Sequence, residues 1–255
     1  MKLRDRVALI FGGSSGIGRA IAVRFAREGA SVAVVASRDL ARADRVTKEI
    51  RDAGGSAQSF VADVRNVSEI QRCAADVART LGPIDILVNS AGIYVPTHLN
   101  ETSEEVFDQM VDTHLKGTFF AIDAVVPSMK ARRSGRIINV ASVAGLRASG
   151  PYSLYSAVKA GVIMLTRALA TELAPHGVHV NALAPGNTAT PLNEAERCGP
   201  NAASVMAAKA AVTPSVRVYT PPEEIAAAAV FLASDEVRAM YGTTLLLDEG
   251  LSAGA

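Results

Sequence analysis

The stretch Val7-Ala-Leu-Ile-Phe-Gly-Gly-Ser-Ser-Gly-Ile-Gly18 decides the fold. Apolar residues run from Val7 to Phe11 without a polar break, as a strand covered on both faces of a sheet requires. Glycines then crowd the turn, and an amphipathic helical pattern begins at Ile17. A strand that enters a helix through glycines brings free backbone N–H groups and the positive end of the helix dipole to one point, which suits a pyrophosphate. The spacing Gly12-x-x-x-Gly16-x-Gly18 differs from the Gly-x-Gly-x-x-Gly of the common dinucleotide turn. Ser14, Ser15 and Ile17 complete the loop and are expected to touch the same ligand.

Outward from this unit, short β-rich runs alternate with helical patterns. The predicted strands are Val7–Phe11, Ser31–Ser37, Ser56–Ala62, Ile84–Asn89, Gly135–Ala141, His179–Ala184 and Thr244–Asp248. The predicted helices are Ile17–Glu28, Leu40–Ala53, Glu69–Leu81, Glu104–Lys130, Leu154–Ala174 and Glu223–Ala233. Strict alternation of this kind builds an α/β, doubly wound parallel sheet with helices on both faces, and the length suits a single domain over 1–255. The irregular stretch at 186–222 is rich in Pro, Asn and Ala and carries a short helical pattern near Ala202–Ala211. A segment of that length in a compact domain is expected to be a mobile substrate lid.

Composition narrows the function. The chain holds 26 basic and 25 acidic residues, a net charge of +1, which argues against a nucleic-acid binder. Cys73 falls on the apolar side of a helical pattern and Cys198 in a loop, so no disulfide framework is expected. His98, His176 and His179 lack metal-ligand spacing. No apolar run reaches a membrane span, and the N-terminal residues carry no leader pattern, so the expected compartment is the cytoplasm.

Tyr155-Ser-Ala-Val-Lys159 follows Ser142 by thirteen positions. Residues four apart share a helix face, so the ammonium of Lys159 can stand beside the phenol of Tyr155 and lower its pKa. That would make Tyr155 a general acid or base for carbonyl chemistry. Asp63-Val64 and Asn89-Ser-Ala-Gly92 fall at C-terminal strand ends, where such sheets bind ligands.

Together these residues make the chain resemble the classical short-chain dehydrogenase/reductase family over essentially its whole length. The resemblance rests on Gly12, Gly16, Ile17, Gly18, Asp63, Asn89, Ala91, Gly92, Ser142, Tyr155, Lys159, Pro185, Gly186 and Thr190. It implies a seven-stranded Rossmann-type fold and hydride transfer between NAD(P) and a substrate carbon. By the same resemblance Tyr155 exchanges a proton with the substrate oxygen and Ser142 hydrogen-bonds that oxygen. Lys159 would hold the nicotinamide ribose. Pro185, Gly186, Thr188 and Thr190 would line the nicotinamide end, and Asp63 and Val64 would bracket the adenine.

Two positions depart from the family pattern. Phe11 stands where the family usually has a Thr that ties the glycine loop to its neighbours. His114 stands where the family has a catalytic Asn that bends its helix and anchors a water relay. An imidazole can both donate and accept, so His114 is expected to serve the relay.

An acidic residue ending the second strand selects NAD, whereas a basic one accommodates a 2′-phosphate. This chain has Ser37-Arg38 there, while Asp39 is expected to cap the following helix, so NADP(H) is favoured over NAD(H). Tyr94, Val143, Tyr152, Asn187, Leu192 and Met206 form the expected substrate wall. It reads as mostly apolar, suiting a neutral ketone, a secondary alcohol or an acyl chain. Arg132 and Arg133 give slight support to a reductase of carrier-bound 3-oxoacyl groups. The departures at Phe11 and His114 leave a non-catalytic dinucleotide-binding protein as the alternative of another class. Apolar stripes on Glu104–Lys130 and Leu154–Ala174 exceed what one sheet face covers, and relatives pair these helices between subunits. A homotetramer is therefore expected, with a dimer second.

Overall fold

The structure is a computed structural model, and it describes residues 1–148, 150–215 and 217–253. Seven parallel strands form one sheet in the order β3-β2-β1-β4-β5-β6-β7. They are β1 (Val7–Phe11), β2 (Ser31–Ala36), β3 (Ser56–Val61), β4 (Ile86–Asn89), β5 (Gly135–Val140), β6 (Val178–Pro185) and β7 (Thr244–Leu247). The strand order reverses between β1 and β4, and a crevice opens there at the carboxyl ends.

Side chains alternate across a strand, and β1 shows how this builds two cores. Ala8 and Ile10 face one layer, with α1 (Gly16–Arg27), α2 (Leu40–Asp52) and α9 (Pro222–Ala233). Val7, Leu9 and Phe11 face the other, with α3 (Val67–Leu81) and α5 (Gly117–Arg132). All five residues of β1 are buried. The side chains of Val7, Leu9, Ile10 and Phe11 each contribute about 1.5–3 kcal/mol by burial. The seven strands and the helices fall within two residues of their expected bounds, with one exception.

The exception is the helix expected over Glu104–Lys130. It is divided into α4 (Glu104–Val111), a π-helical turn (Asp112–Lys116) and α5. A π turn inserts one residue into the helical ladder and re-aims the side chains there. His114 lies at its centre.

α6 (Ser153–Leu173) carries Tyr155 and Lys159. Its angle to the sheet is held by a buried polar chain. Asn89 on β4 donates to Asn139 on β5 (2.9 Å), Asn139 donates to Thr166 on α6 (2.9 Å), and Thr166 donates to the Val162 carbonyl (2.8 Å). The stretch expected to form the lid carries two helices, α7 (Glu194–Cys198) and α8 (Ala202–Val212). Val216 of that stretch lies outside the described residues. No helix among the described residues is long and apolar enough to cross a membrane.

Candidate active site

A cleft of about 1060 Å³ opens over the carboxyl ends of the strands. The loop from β1 enters α1 at its floor. Ser15 stands at the N-cap without a side-chain capping bond, so the first N–H groups of α1 keep their hydrogen-bonding capacity for a ligand. Gly12, Ser14, Ser15, Gly16 and Ile17 line the cleft as expected.

Gly18 does not. A Cβ there would lie 2.2 Å from the Gly12 carbonyl oxygen, so glycine at 18 lets α1 close on its own loop. Asn89 is also withdrawn from the cleft, because its amide is committed to Asn139. Phe11 is buried in the α3 and α5 layer. The tie expected of a hydroxyl is made by backbone instead. The Gly13 N–H reaches the Val35 carbonyl at 3.1 Å, and the Ser90 N–H reaches the Phe11 carbonyl at 3.0 Å.

At the outer end, Ser37, Arg38, Asp63 and Val64 line the cleft. Asp39 accepts a hydrogen bond from the Ala41 N–H at 3.0 Å, the helix cap expected of it. The hydrogen bonds of Arg65 hold the Asp63 carboxyl below its usual range, with an ion-pair distance of 2.6 Å. Arg38 lies farther from the same carboxylate, at 3.6 Å, with 74% of its side chain exposed. Arg42, one turn along α2, joins it in the lining and was not foreseen.

Ser142, Tyr155 and Lys159 converge at the inner end, with Ala91, Gly92, Pro185, Gly186, Thr188 and Thr190 around them. Gly145 brings the Ser142 turn against α6. A Cβ at Gly145 would lie 2.7 Å from the backbone carbon of Lys159. The Lys159 ammonium donates to the Val140 carbonyl at 2.7 Å and sits 5.6 Å from the centre of the Tyr155 ring.

The expected lowering of the Tyr155 pKa by Lys159 is not what this geometry produces. Burial pushes the phenol up to about 12, and only the Ser142 hydroxyl pulls the other way. Burial also pushes the Lys159 ammonium down to about 7. Desolvation governs both groups.

His114 is 2% exposed. Its Nε2 lies 2.9 Å from the Ile93 carbonyl oxygen and 3.3 Å from the Ile93 N–H. Its Nδ1 has no hydrogen-bond partner among the described residues. Burial and the charge of Lys159 push the imidazole down to about 3, so it is neutral across the working pH range. Its ring meets the Tyr155 ring edge-on at 5.5 Å.

On the substrate side Tyr94, Val143, Tyr152, Asn187 and Leu192 line the cleft, but Met206 does not and Val205 takes its place. One helical step on α8 separates the two. The wall is more polar than expected, because Glu196, Lys209 and Arg147 also line it. No periodic pattern in the sequence marks these three. Arg132 and Arg133 lie at the opposite end of the sheet, where Arg132 binds Asp85 at 2.7 Å just before β4. Within one chain they do not rim its own cleft. Among the described residues no cluster of side chains suited to a metal ion is found.

The family model for short chain dehydrogenases matches residues 6–201. The 3-oxoacyl-[acyl-carrier-protein] reductase of Thermotoga maritima is 36% identical, over 98% of this chain and 99% of that protein. Two solved structures superpose closely. A gluconate 5-dehydrogenase from Burkholderia cenocepacia, in complex with NADP and tartrate, is 32% identical with a TM-score of 0.93 and covers 100% of this chain and 98% of its own. A short-chain type dehydrogenase/reductase from Mycobacterium marinum is 33% identical with a TM-score of 0.91, over 98% and 97%.

Proposed function

The chain belongs to the short-chain dehydrogenase family and is an oxidoreductase, and on that premise we propose that it exchanges a hydride between NADP(H) and a ketone or secondary alcohol, with Tyr155 as proton donor or acceptor. The single observation that carries this reading is the convergence of Ser142, Tyr155 and Lys159 in one cleft with the glycine loop.

The cleft fits a dinucleotide. The uncapped start of α1 supplies N–H groups for a pyrophosphate, and the volume extends from Arg38 to Tyr155. When bound, the nicotinamide supplies or accepts the hydride. The chain does the rest. Tyr155 gives its proton to the substrate oxygen in reduction and takes it back in oxidation. Ser142 hydrogen-bonds the same oxygen, and Lys159 holds the ribose hydroxyls. Pro185, Gly186, Thr188 and Thr190 would hold the nicotinamide end. His114 is a positioning residue that ties the Ile93 loop to the π turn, and its free Nδ1 is available to the proton relay.

NADP is favoured over NAD. Supporting this are the guanidinium groups of Arg38 and Arg42, both in the cleft lining, and an Asp39 turned into its helix cap. The Burkholderia cenocepacia relative was solved with NADP. Fluorescence titration with NADPH and NADH tests the assignment, with tighter NADPH binding expected. The reverse order would remove NADP and keep the oxidoreductase.

A second reading, reduction of carrier-bound 3-oxoacyl groups, is favoured by the Thermotoga maritima relative. The assembly we assign is a homotetramer, with a dimer second. Exposed Phe107, Phe119 and Met164 on α4, α5 and α6 support it, as do Phe231 and Leu246 on α9 and β7. The unpaired thiols of Cys73 and Cys198 suit the reducing cytoplasm. The stretch at 186–222 is assigned as a lid that moves with substrate.

A further inference from the structure

The substrate side of the cleft is roofed by side chains that the hydride chemistry does not use. Glu196 on α7 accepts a hydrogen bond from Lys209 on α8 at 2.7 Å and one from the Tyr152 hydroxyl at 3.4 Å. Lys209 also donates to the Asn187 side-chain oxygen at 3.2 Å. All four residues line the cleft. The ion pair is mostly withdrawn from solvent, with 23% of Lys209 and 25% of Glu196 exposed. Burial pulls the Lys209 ammonium down, but Glu196 and Tyr219 more than offset it and leave it above its usual value.

An aromatic surface leads from this cluster to the reacting phenol. Tyr152 stacks on Tyr94 at 4.2 Å, and Tyr94 meets Tyr155 edge-on at 5.0 Å. A substrate oxygen held at Tyr155 would leave the rest of the molecule beside this stacked pair, in the part of the cleft that Glu196 and Lys209 line.

Glu196, Lys209, Asn187 and Tyr152 bond one another but keep spare capacity, a third N–H on Lys209 and free lone pairs on Glu196. An apolar chain in that place would strip water from it and give nothing back. Removing water from charged groups whose hydrogen-bonding capacity is only partly used is unfavourable. An aliphatic hydroxyl both donates and accepts. It can give its hydrogen to Glu196 while accepting from Lys209 or Tyr152, so it enters the network without orphaning a partner.

We propose that Glu196, Lys209, Asn187 and Tyr152 form a specificity site for a polyhydroxylated, sugar-like ketone or secondary alcohol. The proposal rests on the oxidoreductase reading for the position of the reacting carbon. It runs against the apolar wall expected from the sequence and against an acyl chain.

The test uses the full chain with NADPH and a panel of six-carbon keto-polyols, with and without a terminal carboxylate, set against 2-hexanone and an acetoacetyl thioester. The keto-polyols are expected to exceed 2-hexanone in kcat/KM by roughly 100-fold or more, since a site built for hydroxyls rejects analogues that lack them. Lys209→Met and Glu196→Gln are each expected to raise the keto-polyol KM by roughly tenfold, the loss of one charge-assisted hydrogen bond, with a smaller fall in kcat. NADPH affinity reports any general damage to the cleft. The exchange Glu196→Lys with Lys209→Glu keeps the ion pair but turns the charges around, so it covers the case in which a single variant fails to fold.

Preference for 2-hexanone or for the thioester in the parent protein would overturn the proposal. So would a parallel loss for every substrate in the variants, which a purely structural clasp would give. Binding of the keto-polyol to the NADPH complex of Tyr155→Phe, read as a thermal shift, separates the two layers of the argument. Binding that depends on Lys209 but yields no turnover in the parent would keep the specificity site and remove the hydride chemistry. No keto-polyol binding would remove the specificity site.

Discussion

The Nε2 atom of His114 stands 2.9 Å from the backbone oxygen of Ile93. This contact joins a π turn to the loop after β4, across 21 residues of sequence. A side-chain amide can make the same contact, whereas a methyl group cannot. His114→Asn is therefore expected to keep turnover within about threefold, while His114→Ala loses roughly 10- to 100-fold with NADPH affinity nearly unchanged. Equal losses of turnover and affinity in His114→Ala would mean that the imidazole only supports folding.

The same histidine predicts an acid-stability effect. Its folded pKa, about 3, is below the ordinary 6.5, so the unfolded chain binds a proton in that interval and the folded chain does not. Stability at His114 is therefore lost as pH falls from 6.5 towards 3. The gap in unfolding free energy between parent and His114→Asn should shift in favour of Asn across that window. A pH-independent gap would refute the buried neutral imidazole.

Lys159 acts in the same sense at higher pH. Burial lowers it from 10.5 to about 7, so between those values the unfolded chain holds the extra proton. Stability contributed at Lys159 rises with pH through that window and is lowest below 7. Lys159→Met should be most stabilised relative to the parent at neutral pH and below, with the advantage fading towards pH 10.5. Chemical denaturation at several pH values measures this, and turnover in the variant is expected to collapse.

Arg38 approaches Asp63 at 3.6 Å and is mostly exposed, so it is free to turn to a 2′-phosphate. A hydrogen bond to a charged group contributes about 1.5–3 kcal/mol, or roughly 10- to 150-fold in affinity. Arg38→Ala should weaken NADPH by that order and leave NADH within about threefold. An unchanged preference in the titration would remove Arg38 from the cofactor site.

Tyr155→Phe is expected to retain NADPH binding and to lose roughly 100- to 10,000-fold in turnover, the usual contribution of a positioned proton donor. Retained turnover would point to another acid in the cleft.

The alternation of strands and helices could be read from the sequence because each element writes its own period into neighbouring residues. The Tyr155–Lys159 spacing and the Gly12–Gly16 turn are local in the same way. What escaped depends on partners distant in sequence. The π turn at Asp112–Lys116 brings His114 to Ile93, 21 residues away in sequence. The hydrogen bond of Asn89 to Asn139 and the close approach of Gly18 to Gly12 are seen only once the chain is folded. Lys159 and Tyr155 share a helix face as their spacing demands. The spacing could not show that burial would govern both groups. Glu196 and Lys209 meet across two short helices in a stretch without hydrophobic rhythm.

None of the residues of α8 is buried. The sheet therefore has nothing at stake in that helix beyond its polar clasp to Glu196 and Asn187. Substitutions there can alter the substrate side of the cleft while the reacting groups stay fixed on α6 and the strand ends. Lineages sharing this scaffold can diverge in diet without relearning their chemistry, because what is transformed and how it is transformed are inherited on separate lengths of chain.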